Sequence, residues 1–403
     1  MLNDIKVGLL EAVSSIKRGN KKTLAFVIFV LALIFVNLVF LPSMIGGLSG
    51  TMTGLMQDYK YGDIVIEPSE NNPYINNADS VVQKVRSISG VRSATKRLDT
   101  AASIQYKEKN VGVTLTGIIP NEELEISKYP YIISEGDFLG ELSKNEIILG
   151  AMIAGTGFGS EIYDNLGEVH PGVLVNVTYN NGVKKTYKVK GIMEGTFELV
   201  DLNALTNYKE IESVYGLNKS QQATSIVIRV NNPEEKNEIK NEIIDLGIKE
   251  KVFTWEEKAD VLIRQAMESI NTIDIISKYI SLIVGAALIF IIVYINVLNR
   301  KKEIGILKAV GISKMSIVIS YAFISMFYVS MGIIFGLILY FLLIIYFTFN
   351  PVSFYQNLSI IPEIQMSLIL KSVMNMMIMS IIAGILPAWI ISKESILEAI
   401  WGR

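Results

Sequence analysis

Apolar and polar positions divide the chain into four uncharged, membrane-length stretches and one long mixed segment. Residues 24–41 carry no charge and only Asn37 as a notable polar side chain. Residues 279–299 are uncharged, and no Asp, Glu, Lys or Arg occurs between 315 and 362. A fourth stretch covers 372–392, with Pro387 near its end. A membrane span needs about 20 predominantly apolar residues, so each stretch is long enough to cross. The 315–362 run is too long for one span and too short for two with a loop; its helix is placed at about 317–349, ended by Asn350-Pro351.

Two of these patterns continue past the bilayer. After Pro42, the positions Met44, Leu48, Met52, Leu55 and Tyr59 keep helical spacing. Before residue 279, Leu262, Ala266, Ile270 and Ile273 share one face, with Glu257, Arg264, Glu268 and Asp274 on others. A helix over 256–299 would be about 65 Å long at 1.5 Å per residue, against a hydrocarbon core of about 30 Å. About half of it would project as a stalk; the alternative is a hinge near Asn271-Thr272. Ahead of the first span, Leu2, Ile5, Leu9, Ala12, Val13 and Ile16 fall on one face of an amphipathic helix. That helix lies in the membrane interface or packs on protein; the pattern fits both.

The mixed segment alternates between strand and helix patterns. Residues 61–67 read as a strand, 78–88 as a helix stopped by Ser89-Gly90, and 91–106 and 111–119 as strands around Glu108-Lys109-Asn110. Far downstream, 225–230 and 251–254 read as strands flanking a helix at 233–244. Residues 61–124 and 221–255 thus form one split, porter-like α/β layer. Residues 125–220 form a mostly β insert, with strands at 146–149, 173–179 and 184–192, the last two joined at Asn180-Asn181-Gly182. The expected fold is an α-helical membrane protein with four transmembrane helices plus an α/β extracytoplasmic domain of two subdomains.

Basic residues set the orientation. Lys17, Arg18, Lys21 and Lys22 precede the first span; Arg300, Lys301, Lys302, Lys308 and Lys314 lie between the second and third; Lys393 and Arg403 follow the fourth. The positive-inside rule therefore places both termini and 300–314 in the cytoplasm. The resulting division is an interfacial helix at 1–22, a first span and stalk at 23–60, an extracytoplasmic domain at 61–255 and a second stalk and span at 256–299. A cytoplasmic segment at 300–314, a third span at 315–350, an outer loop at 351–370, a fourth span at 371–392 and a tail at 393–403 follow. The first span is read as an uncleaved anchor in a cell membrane, since it is too long for a signal peptide and no A-x-A cleavage site follows.

Composition narrows the function. A mean hydropathy of +0.40 together with 19% charged residues excludes both an ordinary soluble protein and a chain wholly in lipid. The net charge of −2 gives no reason to expect a nucleic-acid partner, and the absence of cysteine removes disulfides and thiolate chemistry. The one histidine, His170, precedes Pro171-Gly172 and reads as structural. No nucleophile–base pair or metal-ligand cluster emerges, so no cofactor or metal is expected in this chain. The run Gly155-Thr156-Gly157-Phe158-Gly159 reads as a loop, and Glu122-Glu123 and Glu256-Glu257 read as solvated helix faces. There is no G-x-x-x-x-G-K-[ST] motif, and the four spans hold no ionisable group of the kind ion-driven carriers use. Either a partner supplies energy or nothing is transported.

The segment Arg300-Lys301-Lys302-Glu303-Ile304-Gly305-Ile306-Leu307-Lys308-Ala309-Val310-Gly311 closely resembles the cytoplasmic coupling segment of ABC-transporter permeases of the MacB/FtsX/LolC–LolE superfamily. Gly384-Ile385-Leu386-Pro387-Ala388 followed by Ile396-Leu397-Glu398-Ala399-Ile400 is similar to that family's closing pattern, with Ser395 where proline is usual. Thr116-Gly117-Ile118-Ile119-Pro120, Ile147-Ile148-Leu149-Gly150 and Val189-Lys190-Gly191-Ile192 with Asp201 resemble the LolC/LolE members loosely. The resemblance implies four spans, a dimer with a second copy or a related permease, and an ABC ATPase in a separate chain that binds ATP and Mg. It implies a non-catalytic subunit that exports or extracts a lipoprotein, peptide or hydrophobic compound, with a periplasmic or extracellular partner as a further candidate. The FtsX-like alternative is signalling to an extracellular hydrolase without transport.

Within that resemblance, Arg300, Lys301 and Lys302 would fix the depth of the segment, and Glu303 and Lys308 would pair with charges on the ATPase. Ile304 and Leu307 would enter an apolar groove. Gly305 and Gly311 would allow close approach and the turn into the third span. Gly332 and Gly336 form a G-x-x-x-G for helix packing, within the chain or across a dimer.

Overall fold

A computed structural model describes all residues except 1, 19, 71, 158, 196–197, 217–220, 356–357 and 394–403. The expected closing positions 395–400 lie outside the described residues. The chain folds as two units. One comprises residues 1–48, 267–352 and 360–403; the other comprises 49–266 and 353–359.

The first unit is helical. After α1 (Leu2–Arg18), α2 runs Lys21–Leu55 and contains Pro42. In the second unit, in chain order, come β1 (Ile64–Glu67), α3 (Ala78–Arg86), β2 (Val91–Tyr106), β3 (Lys109–Ile118), α4 (Pro120–Ile126), β4 (Ile133–Gly136), β5 (Glu146–Gly150) and α5 (Ala151–Ala154). They are followed by β6 (Leu174–Tyr179), β7 (Lys184–Met193), α6 (Glu198–Asp201), β8 (Asn203–Asn207), α7 (Tyr208–Tyr215), β9 (Ser225–Val230), α8 (Lys236–Asp245) and β10 (Lys251–Thr254). Then come α9 (Trp255–Asn299), α10 (Lys301–Ala309), α11 (Lys314–Phe349), the short paired strands β11 (Val352–Tyr355) and β12 (Leu358–Ile360), and α12 (Met366–Ser392). Among the described residues four helices are long and apolar enough to cross a membrane: α2, α9, α11 and α12. With 45 residues, α9 is one unbroken helix through Asn271 and Thr272, about 68 Å at 1.5 Å per residue.

Asn37 and the Leu38 carbonyl, polar groups inside the helical unit, find partners there, as lipid requires. Pro42 has no N–H for the carbonyl of Leu38, and Ser372 Oγ on α12 donates to that carbonyl at 3.5 Å. Asn37 on α2 accepts from Ser277 and Ser281 on α9 at 3.2 and 3.1 Å. Leu31, Phe35, Val293, Val329, Tyr340 and Ala388 belong to one core.

The second unit holds a ten-stranded mixed sheet in the order β10-β1-β9-β2-β3-β8-β5-β7-β4, with β6 alongside β2 and β7. The 16-residue β2 explains how two layers share one sheet. Its first half pairs with β9 and its second half with β3 and β6. The core around Ile64, Val85, Ile228 and Ile243 ends at Ala94, and the core around Ile104, Leu115, Tyr187 and Ile211 starts at Leu98. The α/β layer and the insert therefore part within β2, whereas the sequence pattern drew the line at 124/125. A strand that changes neighbours midway leaves no break in its alternation, so pattern alone does not mark the change.

Candidate coupling site

The α10 helix turns one face inward and one outward. Ile304 and Gly305 are buried, and Ile304 joins the helical core with Val297, Ile317 and Ala388. Leu307 and Lys308 are half-buried. Outward stand Lys302, Glu303, Ala309 and the apolar Ile306 and Val310, 57% and 79% exposed. The apolar positions available to a partner are thus Ile306 and Val310, one turn apart, in place of the expected Ile304 and Leu307. Both sets have helical spacing, and only the packed structure distinguishes inside from outside.

Arg300, at the N-cap of α10, points into α1. Its Nη1 donates to Ser15 and lies 3.7 Å from Glu11, while Nη2 pairs with Glu303 at 3.1 Å. Lys301 is half-buried. Lys308 donates from Nζ to the carbonyl of Ser392 at 2.6 Å, so a cation in the last turn of α10 caps the C-terminus of α12. Both expected partner-facing charges on Glu303 and Lys308 thus have contacts inside the chain. Gly311 follows at φ +97°, where a Cβ would be strained. Ser313 caps α11 by accepting from Ser316 N–H at 3.1 Å. Asp4 of α1 accepts from Ser313 Oγ at 2.5 Å and Ser316 Oγ at 2.9 Å. The Ser313 bond is the foremost of the causes that lower its carboxyl to about 2. A carboxylate at this point also complements the α11 dipole.

Gly332 and Gly336 pack α11 against α2 of the same chain. A Cβ on Gly332 would lie 2.6 Å from Leu31 Cβ, and one on Gly336 would lie 2.8 Å from Phe35 Cδ1. Gly8 does the same for α1: its Cβ would meet Ile319 at 2.9 Å. Gly384, Pro387 and Ala388 are buried on α12, where a Gly384 Cβ would come 2.7 Å from Ser325 Cβ.

A second concentration of charge lies in the other unit, where α2 passes into a π-helical turn, Met56–Tyr61, ahead of β1. Arg97 on β2 donates to the carbonyls of Tyr59 and Lys60 at 2.7 and 3.0 Å and pairs with Glu123 of α4. Arg229 on β9 reaches the carbonyl of Gln57 at 3.1 Å, Asp58 at 3.3 Å and Asp63 at 3.2 Å. Glu123 is fully buried, so the expected solvated face at 122–123 is an ion-pair face instead. Glu257 and Thr254 form a reciprocal capping box at the start of α9, and Glu257 also pairs with Lys240 at 2.7 Å. Of the loosely matching middle motifs, Gly150 and Asp201 meet: a Gly150 Cβ would be 2.7 Å from Asp201 Cα. Burial pushes the Asp201 carboxyl up to about 8, against a 2.6 Å hydrogen bond from Gly195 N–H. His170 is exposed beside Glu135, which raises its pKa by hydrogen bonding at 2.8 Å. Among the described residues no group of three His, Asp or Glu could hold a metal.

Sequence reasoning did not find Arg97, Arg229, Glu11 or Asp4. None belongs to a motif, and each matters through a partner distant in sequence.

Residues 275–396 match the family described as FtsX-like permease C-terminal. An uncharacterized ABC transporter permease from Methanocaldococcus jannaschii is 24% identical over 273 residues, an alignment spanning 64% of this chain and 64% of that relative's length. The extracellular domain of YknZ, a noncanonic ABC-type transporter from Gram-positive bacteria, matches at TM-score 0.35 and 14% identity, covering 47% of this chain and 97% of that one. The periplasmic region of MacB from Actinobacillus actinomycetemcomitans matches at TM-score 0.36 and 12% identity, covering 49% and 91%. The matched residues 275–396 hold the latter part of α9 with α10, α11 and α12, and are similar to the C-terminal part of FtsX-like permeases, while the chain as a whole spans just under two thirds of the length of the ABC transporter permease it resembles.

Proposed function

We propose that the chain is the membrane subunit of an ABC transporter whose ATPase is a separate chain, and that α10 is where that ATPase docks. One observation carries this reading. The outward face of α10 presents Ile306 and Val310 beside Lys302 and Glu303, while its inward face, Ile304 and Gly305, is buried in the helical core. A partner that grips the outer face therefore moves a helix tied by Arg300 to α1 and by Lys308 to α12. Two apolar knobs one turn apart, flanked by a cation and an anion, suit a groove on a soluble partner. The positive-inside distribution puts this face in the cytoplasm and the mixed-sheet unit outside. ATP and Mg belong to the partner, and this chain contributes no catalytic group. It works as a dimer with a second copy or a related permease, acting on a lipoprotein, peptide or hydrophobic compound.

The test is a mild-detergent pull-down of the tagged chain with mass spectrometry and an ATPase assay on the eluate. The expected result is an ATP-hydrolysing subunit whose recovery falls about 10- to 100-fold with Ile306→Asp, the loss typical of a truncated interface anchor. Glu303→Lys is expected to abolish coupled activity without unfolding the protein. An eluate with no ATPase, or full ATP-dependent activity in both variants, would overturn the docking role of α10.

A further inference from the structure

A cavity of about 340 Å³ lies in the helical unit where α1, α2, α9 and α11 meet. Its walls change character with depth. At the rim stand Asn20, Thr23 and Asn299, all exposed, with half-buried Arg300 and Asn296. Deeper lie Val27, 1% exposed, with Ile292 and Ile324. A wholly apolar ligand would cover the exposed polar side chains of Asn20, Thr23 and Asn299, and a small soluble anion would leave the apolar floor unfilled. An amphiphile with a polar, hydrogen-bond-accepting head and an apolar continuation meets both.

The charge of that head follows from its surroundings. Lys17, Lys21, Lys22 and Lys302 are exposed on the segments flanking the cavity, and they outnumber Glu11 and Glu303. Basic clusters beside spans, and basic pockets between them, favour anionic lipid head groups. The guanidinium of Arg300, which a phosphate would share with Ser15, Glu11 and Glu303, and the amides of Asn296 and Asn299 carry donors suited to phosphate oxygens, and Asn20 and Thr23 suit hydroxyls on the head group.

We propose that this cavity is a binding site for one anionic phospholipid, with its phosphate at Arg300 and the start of an acyl chain against Val27 and Ile324. The lipid lies against Arg300, the N-cap of the proposed coupling helix, and touches α1, α2, α9 and α11 together. It therefore acts as a structural ligand of the coupling end. That the lipid belongs to the inner leaflet rests on the cytoplasmic orientation proposed above; the existence of the site does not.

The test uses the full-length protein in nanodiscs of phosphatidylglycerol or of phosphatidylcholine, followed by exchange into mild detergent and native mass spectrometry. One phosphatidylglycerol is expected to be retained, about fivefold over phosphatidylcholine, as one additional charge contact gives. Asn296→Leu and Thr23→Leu, on different helices, are each expected to reduce retention to the phosphatidylcholine level at unchanged melting temperature. Equal retention of the two lipids by the unaltered protein, or undiminished retention by both variants, would overturn the proposal. Glycerol 3-phosphate is the soluble probe. If it binds the delipidated protein and the same variants abolish that binding while lipid retention does not depend on them, the site is for a soluble phosphate and the lipid is rejected. Orientation is tested apart from this with Lys302→Cys, since the chain has no other cysteine. Labelling from the extracytoplasmic side would refute the proposed topology and leave the lipid site standing.

Discussion

Arg97 and Arg300 stand in different units and are held in opposite ways. The Arg97 side chain is 5% exposed and its partner Glu123 is 0% exposed. The Arg300 side chain is 19% exposed, and its acidic partners Glu11 and Glu303 are 34% and 57% exposed. Burial decides what each pair does. A desolvated pair must stay complete, because removing one member leaves a charge without water or counter-ion. A pair that water reaches contributes little to stability and can exchange partners at small cost. Arg97 and Arg229 thus fix the turn at 56–61, while Arg300 can exchange partners. Under the docking role proposed for α10, Arg300 lies at the adjustable end of the helical unit.

The most direct way to break this comparison is Glu123→Ala. It strands Arg97 in a dry site, and the expected cost is about 3–5 kcal/mol, read by denaturant unfolding of the full-length protein followed by signals from the second unit. A cost below about 1 kcal/mol, the range of an exposed pair, would mean that water reaches Arg97 and that the contrast with Arg300 is false. Replacing both Arg97 and Glu123 with apolar residues of similar size is expected to recover much of the loss, because the penalty comes from the unpaired charge.

Next in size is Gly336→Leu. The Cβ alone would come 2.8 Å from Phe35 Cδ1 and 3.1 Å from the Ala32 carbonyl. Overpacking of this kind costs about 1–3 kcal/mol, and backbone contact sets it at the upper end. Melting of the detergent-solubilised protein is expected to fall at every protein concentration. A fall that disappears on dilution would instead assign the G-x-x-x-G to a contact between copies, which the packing of α11 on α2 argues against.

How much of this was legible beforehand differs between the units for a physical reason. Lipid demands long uninterrupted apolar runs, and those announce themselves, as the runs at 24–41 and 279–299 did within α2 and α9. The strands at 61–67, 225–230 and 251–254 also showed, through alternation. What stayed hidden depends on distant pairing. The passage of β2 from one neighbour to another, the burial of Glu123 against Arg97, and the contact of Ser15 with Arg300 each join positions far apart in sequence. At the candidate site, the motif marked α10 as a unit but not its faces. Ile304 and Ile306 are two residues apart on the same short helix, and only the packing of α10 on the core shows which one is inside.

The smallest expected effect belongs to Asp4, and it probes the adjustable end directly. Its carboxyl is lowered to about 2, chiefly by the Ser313 hydroxyl. A carboxylate whose folded pKa lies below its unfolded value stabilises the fold at pH above the unfolded value, and that contribution is lost as pH falls through the folded one. The docking of α1 on the start of α11 is therefore expected to weaken as pH falls from about 4 to about 2 and to be insensitive to pH above that window. Amide exchange along α1 reads this locally, which matters because Asp4 is accessible to water and the effect on global melting is slight. Asp4→Asn keeps one acceptor oxygen for Ser313 and Ser316 but removes the titration, so its α1 exchange is expected to be flat across the same window. If the variant instead shows the same acid-induced loosening as the unaltered protein, the titrating group is not Asp4.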